Sequence, residues 1–151
     1  MRGLWLLLVV LALTACAGGT PRRIFPPEAS VQELRVAADG QWTALLRLRN
    51  YSTVAMRYAS IDAELDFATT GPIKIALTPD IEVPPGTVEI LEVALSPNAA
   101  AREAVASALA GGPAVRYQLR GEVRSSEPRG RFDFDYSSAI GAVPGLANVL
   151  R

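Results

Sequence analysis

The chain has 151 residues, enough for one domain of ordinary size. Lys and Arg total 15 and Asp and Glu total 15, so the formal net charge is zero and no basic excess invites nucleic acid. There is no histidine and one cysteine, which removes the commonest general base, the commonest metal ligand and any internal disulfide.

The N-terminal stretch opens with Arg2 as a short positive region, then an apolar run over residues 4–13. That run has the length of a signal-peptide core and falls short of the roughly 20 residues a membrane span needs. Leu13-Thr14-Ala15-Cys16 follows, with small Ala17, Gly18 and Gly19 behind it. These residues resemble the bacterial lipobox. The resemblance implies that residues 1–15 are a lipoprotein signal peptide and that Cys16 becomes the first mature residue. Its sulfur would carry a diacylglycerol and its freed amine an acyl chain such as palmitate. Several chains together hold a protein on a bilayer where one alone binds marginally. Ala17, in place of aspartate, resembles the pattern of lipoproteins sent to the outer membrane, implying its inner leaflet and a domain facing the periplasm. An ordinary cleaved signal, or a cysteine buried in a core helix, are the alternatives.

Residues 16–29 contain three prolines and two glycines and read as a lipidated tether. Arg22 and Arg23 in it are expected to be solvated, with anionic headgroups as the alternative contact.

From residue 30 to residue 137 the hydrophobic period changes to two. Trp42, Ala44, Leu46 and Leu48 alternate with polar neighbours. So do Ile61, Ala63, Leu65 and Phe67, then Val115, Tyr117, Leu119 and Val123, then Phe132, Phe134 and Tyr136. Such alternation marks strands with one dry and one wet face. Seven strands are predicted, near 31–37, 42–50, 55–67, 73–78, 87–95, 114–124 and 130–136. Turn signals such as Asp39-Gly40, Pro84-Pro85-Gly86 and Pro128-Arg129-Gly130 separate them. Between the fifth and sixth strands, residues 96–112 carry a cap signal at Ser96 or Asn98, an alanine-rich run and a glycine stop, which predicts one helix of three turns. The expected fold is all-β, a seven-stranded sandwich with one short helix.

Three segments carry a family resemblance: LRLRNYSTVAMRYASIDAELDF, VPPGTVEILEVAL, and VRYQLRGEV followed by RFDFDY. They are similar to the LEA type 2, or WHy, domain (late embryogenesis abundant protein 14-like), over residues 31–136. The family shows a strand ending in Asn, here Asn50, and a proline-glycine turn, here Pro85-Gly86. Where it often has proline after the asparagine, Tyr51 stands here. The resemblance implies a fibronectin type III-like sandwich and a role in water-stress protection or envelope maintenance. Separately, the poor inventory of catalytic residues argues against an enzyme, and no cofactor is expected.

Asp62, Glu64 and Asp66 have a spacing like the start of a calcium loop, but apolar residues interleave them and no loop glycine follows. They read as the wet face of a strand, with no metal. In a fibronectin-like sandwich the third strand pairs with the sixth, so these acids are expected to face Arg116, Arg120 and Arg124. Asp133 and Asp135 alternate with aromatics and read the same way, not as catalytic carboxylates. The serines have no histidine, and Lys74 is the only lysine available to activate one. Asn50 is expected in a turn, its amide binding nearby backbone. Residues 138–151 form an apolar tail, expected to pack on the sandwich, with a mobile partner-binding segment as the alternative.

The function expected from these residues is a non-catalytic lipoprotein whose partner is the membrane and an envelope protein or lipid. The alternative is a carrier of an apolar ligand such as a lipid, which would need a pocket lined by Trp42, Phe67 and Phe134.

Overall fold

A computed structural model describes residues 21–151. The signal peptide, Cys16 and the first part of the tether lie outside the described residues. Nine strands and one helix follow in order: β1 (Glu28–Val36), β2 (Trp42–Arg49), β3 (Met56–Phe67), β4 (Ile73–Leu77), β5 (Ile81–Val83), β6 (Val88–Leu95), α1 (Ala99–Leu109), β7 (Val115–Glu127), β8 (Arg129–Ile140) and β9 (Val149–Leu150).

Two antiparallel sheets form from them. One has the order β6-β2-β1-β9; the other has β4-β3-β7-β8, with β5 also on β3. Without β5 and β9 this is the fibronectin type III arrangement, and the predicted seven strands and single helix are all present. The two additional strands have three residues and two, too short for any period to register.

The alternating side chains meet between the sheets. Leu46, Leu48, Ile61, Leu65, Phe67, Leu119 and Val123 are all buried. Trp42 meets Phe67 edge-on at a centroid distance of 5.9 Å, and Phe67 and Tyr117 follow at 6.4 Å. Each such aromatic pair adds about 0.5–1.5 kcal/mol beyond its buried area. These rings fill the space in which an apolar ligand would have to sit.

Helix α1 begins at Asn98, whose side-chain oxygen accepts from the Ala101 amide at 2.8 Å. Ala101, Val105 and Ala108 form its buried face, packed toward β3 and β7. Arg102 donates to the Gly40 carbonyl at 2.9 Å and Asn98 to that of Thr70, fixing the helix over one end of the sandwich.

β1 does not alternate simply. It pairs Val31 with Leu46 but Glu33 with Leu45, so Gln32 is an extra residue, a bulge. Before it Ala29 and Val31 point inward; after it Leu34 and Val36 do, opposite Ala44 and Trp42. The Tyr117 hydroxyl crosses from the other sheet to this spot. It accepts from the Val31 amide at 3.1 Å and donates to the Val31 carbonyl at 3.3 Å.

The C-terminal residues fold back. Gly141 and Arg151 exchange two backbone hydrogen bonds of 2.8 and 2.9 Å, β9 pairs with β1, and Leu150 is fully buried. β8 itself runs to Ile140, three residues into the segment predicted as tail.

Candidate functional site

The sandwich has two unlike ends. One is capped by α1 and the C-terminal turn. At the other, the chain enters from the tether, and the residues singled out by sequence converge there.

β2 ends at Arg49, and Asn50 turns inward with no exposed surface. Its side-chain amide donates to the carbonyls of Val54 and Val83 at 2.9 Å each, with Pro84 sharing at 3.2 Å. Its side-chain oxygen accepts from the Ser52 amide at 2.8 Å, and its backbone amide donates to Thr87. Val54 and Pro84 lie in loops and Val83 ends β5, so one neutral side chain supplies the pairing these chain ends need where the ladders stop. An aspartate of the same shape has no protons to donate and would set charge against three carbonyl oxygens.

Pro85 and Gly86 form the facing turn. Thr87 bonds back to the Pro84 carbonyl through its amide at 3.3 Å and its hydroxyl at 2.9 Å. Gly86 has φ of +69°, which the third position of a proline-led turn demands and glycine adopts freely. Asn50, Pro85 and Gly86 therefore lie at one place, with a structural role in holding two loops together.

The same loop grips the incoming chain, a contact that sequence reading missed. The Arg23 amide donates to the Thr53 hydroxyl at 2.8 Å, and the Thr53 amide returns a bond to the Arg23 carbonyl at 2.9 Å. The Thr53 hydroxyl also donates to Pro21, and the buried Ser52 hydroxyl accepts from the Phe25 amide at 3.0 Å. So residues 21–25 lie along the loop, and β1 begins at Glu28, inside the predicted tether. The one trace of this contact in the sequence is Ser52-Thr53, two positions after Asn50, a pair of hydroxyls able to bond a passing strand.

On the outer face of the second sheet, β3 and β7 pair as expected, but the register sorts the charges differently. Glu64 opposes Arg120 and bonds it at 3.1 Å. Asp62 opposes Glu122, Asp66 opposes Gln118, and Arg124 opposes Ser60. The acids and arginines do share this outer face, but only one acid–arginine pair stands directly opposite, because the acids recur every two residues and Arg116, Arg120 and Arg124 every four, a spacing no single register can match three times. Glu122 instead takes Arg124 and Arg131, both at 2.7 Å. Asp133 and Asp135 are exposed on β8, the latter held by Gln118 at 2.9 Å. Lys74 lies opposite Glu64 on the same face. Exposed pairs of this sort contribute about 0–1 kcal/mol each. Among the described residues no three Cys, Asp or Glu side chains gather as a metal site, and no helix is long and apolar enough to cross a membrane.

One charge is different. Glu33 is 2 % exposed, on the outer side of β1, and is held by Arg35 and by Arg151 at 2.6 Å. Burial would raise its carboxyl, but the hydrogen bonds and charges of the two guanidiniums outweigh that and hold it below the ordinary carboxylate value. Tyr58 is fully buried on β3; its hydroxyl finds no partner among the described residues, and burial pushes it up to about 12.

No protein-family model and no curated protein matches this chain. Solved structures do. The Arabidopsis thaliana protein AT1g01470 is 16% identical, with 83% of this chain and 87% of that one covered and a TM-score of 0.52. A protein from Archaeoglobus fulgidus is 15% identical over 80% of this chain and 98% of its own, TM-score 0.41. At2g46140.1, described as a late embryogenesis abundant (LEA) protein, is 15% identical over 90% of this chain and 80% of its own, TM-score 0.43. At such identities the first of these speaks for the fold alone.

Proposed function

We propose that this protein is a lipid-anchored, non-catalytic sandwich of the LEA type 2 kind that works by surface contact in the bacterial envelope. The observation that carries the reading is Leu13-Thr14-Ala15-Cys16, set at the end of a ten-residue apolar run and followed by small residues. Cys16 would hold the diacylglycerol and the N-acyl chain, with the domain facing the periplasm from the inner leaflet of the outer membrane.

The non-catalytic part is supported by what the side chains do. The chain lacks histidine, its carboxylates on β3 and β8 face water, and its most buried polar residue, Asn50, spends every bonding group on backbone. The carrier alternative finds no support at Trp42 and Phe67, which touch each other edge-on where a ligand would lie. A protective or maintenance role in the envelope follows from the family resemblance, with an envelope protein or lipid as partner.

The test is metabolic labelling. Cells making the full chain and fed labelled palmitate should place label in the protein, and Cys16→Ser should abolish the label and release the domain from the membrane fraction. An unlabelled wild-type chain overturns the anchor. Crosslinking in intact envelopes then separates an adaptor, which captures a protein, from a carrier, which retains lipid alone.

A further inference from the structure

We infer that the Asn50 end of the sandwich seats directly on the anionic surface of the bilayer that holds the anchor, through Ile24, Phe25 and Tyr51 flanked by Arg22 and Arg23. This rests on the lipid-anchor reading and adds to it an orientation and a contact.

Three observations converge. First, of the five large apolar side chains most exposed among the described residues, three are here: Ile24 at 42%, Phe25 at 43% and Tyr51 at 42%. They are not exposed by looseness. Residues 21–25 are fixed by the hydrogen bonds to Ser52 and Thr53, so Ile24 and Phe25 are presented to solvent on a held backbone. Apolar surface displayed this way marks a contact site.

Second, the charge suits an anionic surface. Residues 21–27 read PRRIFPP, with two exposed arginines and no acid. Tyr51 beside them carries the Arg49 guanidinium 4.6 Å from its ring centre and bonds Glu28 through its hydroxyl at 3.3 Å. An amphipathic ring with a guanidinium over its face is a composition favoured at the headgroup level, where Arg22 and Arg23 are each drawn to anionic lipid, while the Glu28 carboxylate at the hydroxyl offsets one of the local positive charges.

Third, the chain leaves little choice of distance. Five residue steps separate Cys16 from Pro21, at most about 18 Å when fully extended. An acylated Cys16 sits at the membrane surface, so the end of the domain carrying residue 21 cannot stand far from it. The α1 end, with Gly40, Arg102 and the β9 turn, then points away from the lipid.

The experiment uses the full chain, processed in cells and purified as the mature protein. Acylation turns the Cys16 sulfur into a thioether, so a cysteine introduced elsewhere is the one free thiol. Ile24→Cys, Tyr51→Cys and, at the far end, Asp39→Cys are each labelled with an environment-sensitive fluorophore. The proteins are reconstituted into vesicles of phosphatidylethanolamine and phosphatidylglycerol, with brominated lipid as quencher. Intact mass reports the acyl chains first.

Several-fold stronger emission and quenching at positions 24 and 51 than at 39, weakened by Arg22→Gln with Arg23→Gln or by replacing phosphatidylglycerol with phosphatidylcholine, is the expected result. An acylated protein whose labels at 24 and 51 behave like that at 39 overturns the seating and leaves the anchor standing. A protein with no acyl mass overturns both.

Discussion

Asn50 and Glu33 each tie one end of the described chain to the sandwich, and they do it with different physics. Asn50 uses a neutral amide, fully enclosed, whose partners are two loop carbonyls, the carbonyl that ends β5 and one amide; the segment it organises grips residues 21–25. Glu33 uses a charge, nearly enclosed, whose partners are two arginines about half exposed, one of them Arg151. The neutral anchor depends on geometry alone. The charged one depends on protonation and salt, because its partners remain in contact with water. A buried amide is the firmer fastening, and it stands at the end where the anchor would pull.

The contrast is open to attack at three points. Asn50→Ala should have the largest effect, a loss of about 3 kcal/mol in chemical denaturation, since it strands the buried Val83 carbonyl and Ser52 amide at about 1–3 kcal/mol each and also releases the part-buried Val54 and Pro84 carbonyls. Protease cleavage within residues 21–25 should rise in parallel. A loss under about 1 kcal/mol would mean that water replaces the amide without penalty.

Glu33→Gln should cost less, about 1–2 kcal/mol near neutral pH, because the stranded guanidiniums can turn to solvent. Its pH dependence is the sharper readout. The folded carboxyl is held below its unfolded value of 4.5. Its contribution is therefore present above that pH and is lost as the pH falls through the lowered folded value. Wild type should lose stability on acidification more steeply than Glu33→Gln, while Asn50→Ala should run parallel to wild type. Parallel curves for Glu33→Gln would remove the distinction between the anchors.

Tyr58→Phe should do least. Its hydroxyl is buried and unpartnered, so removal should be neutral or stabilising, by no more than about 1 kcal/mol in chemical denaturation. The raised value means that wild type loses stability as pH climbs from 10 toward about 12, and the variant should resist that loss. A clear destabilisation would reveal a third polar anchor.

The strands with one wet face were legible because burial of one side forces a period of two, as in β2 with its unbroken buried and half-buried alternation. The sandwich class followed from seven such strands, its fibronectin-like order was what the family resemblance implied, and the cap was narrowed to Ser96 or Asn98, of which the fold uses Asn98. β5 and β9 were not legible, being set by what they pair with and not by their own pattern. The charge pairs on β3 and β7 could be placed on one face but not in register, because register is decided by the ladder and not by either strand alone. At the Asn50 end, the residue and its turn partners could be picked out by type. That the loop also holds residues 21–25 depends on a contact across some thirty positions, which leaves only two hydroxyls as a trace.

β1 hid its pattern for a different reason, and that reason has a consequence. Gln32 is exposed and makes no contact that defines the site, yet it divides the strand into two halves with opposite parity. What matters at position 32 is a place in the count, not a side chain. Many polar residues would serve there. Deleting it would close the bulge: Glu33 would follow Val31 directly opposite Leu45, and Ala29, Val31, Leu34 and Val36 would line one face in a single unbroken period. A deletion at any other place in the strand would leave the bulge and turn one half's oil to water.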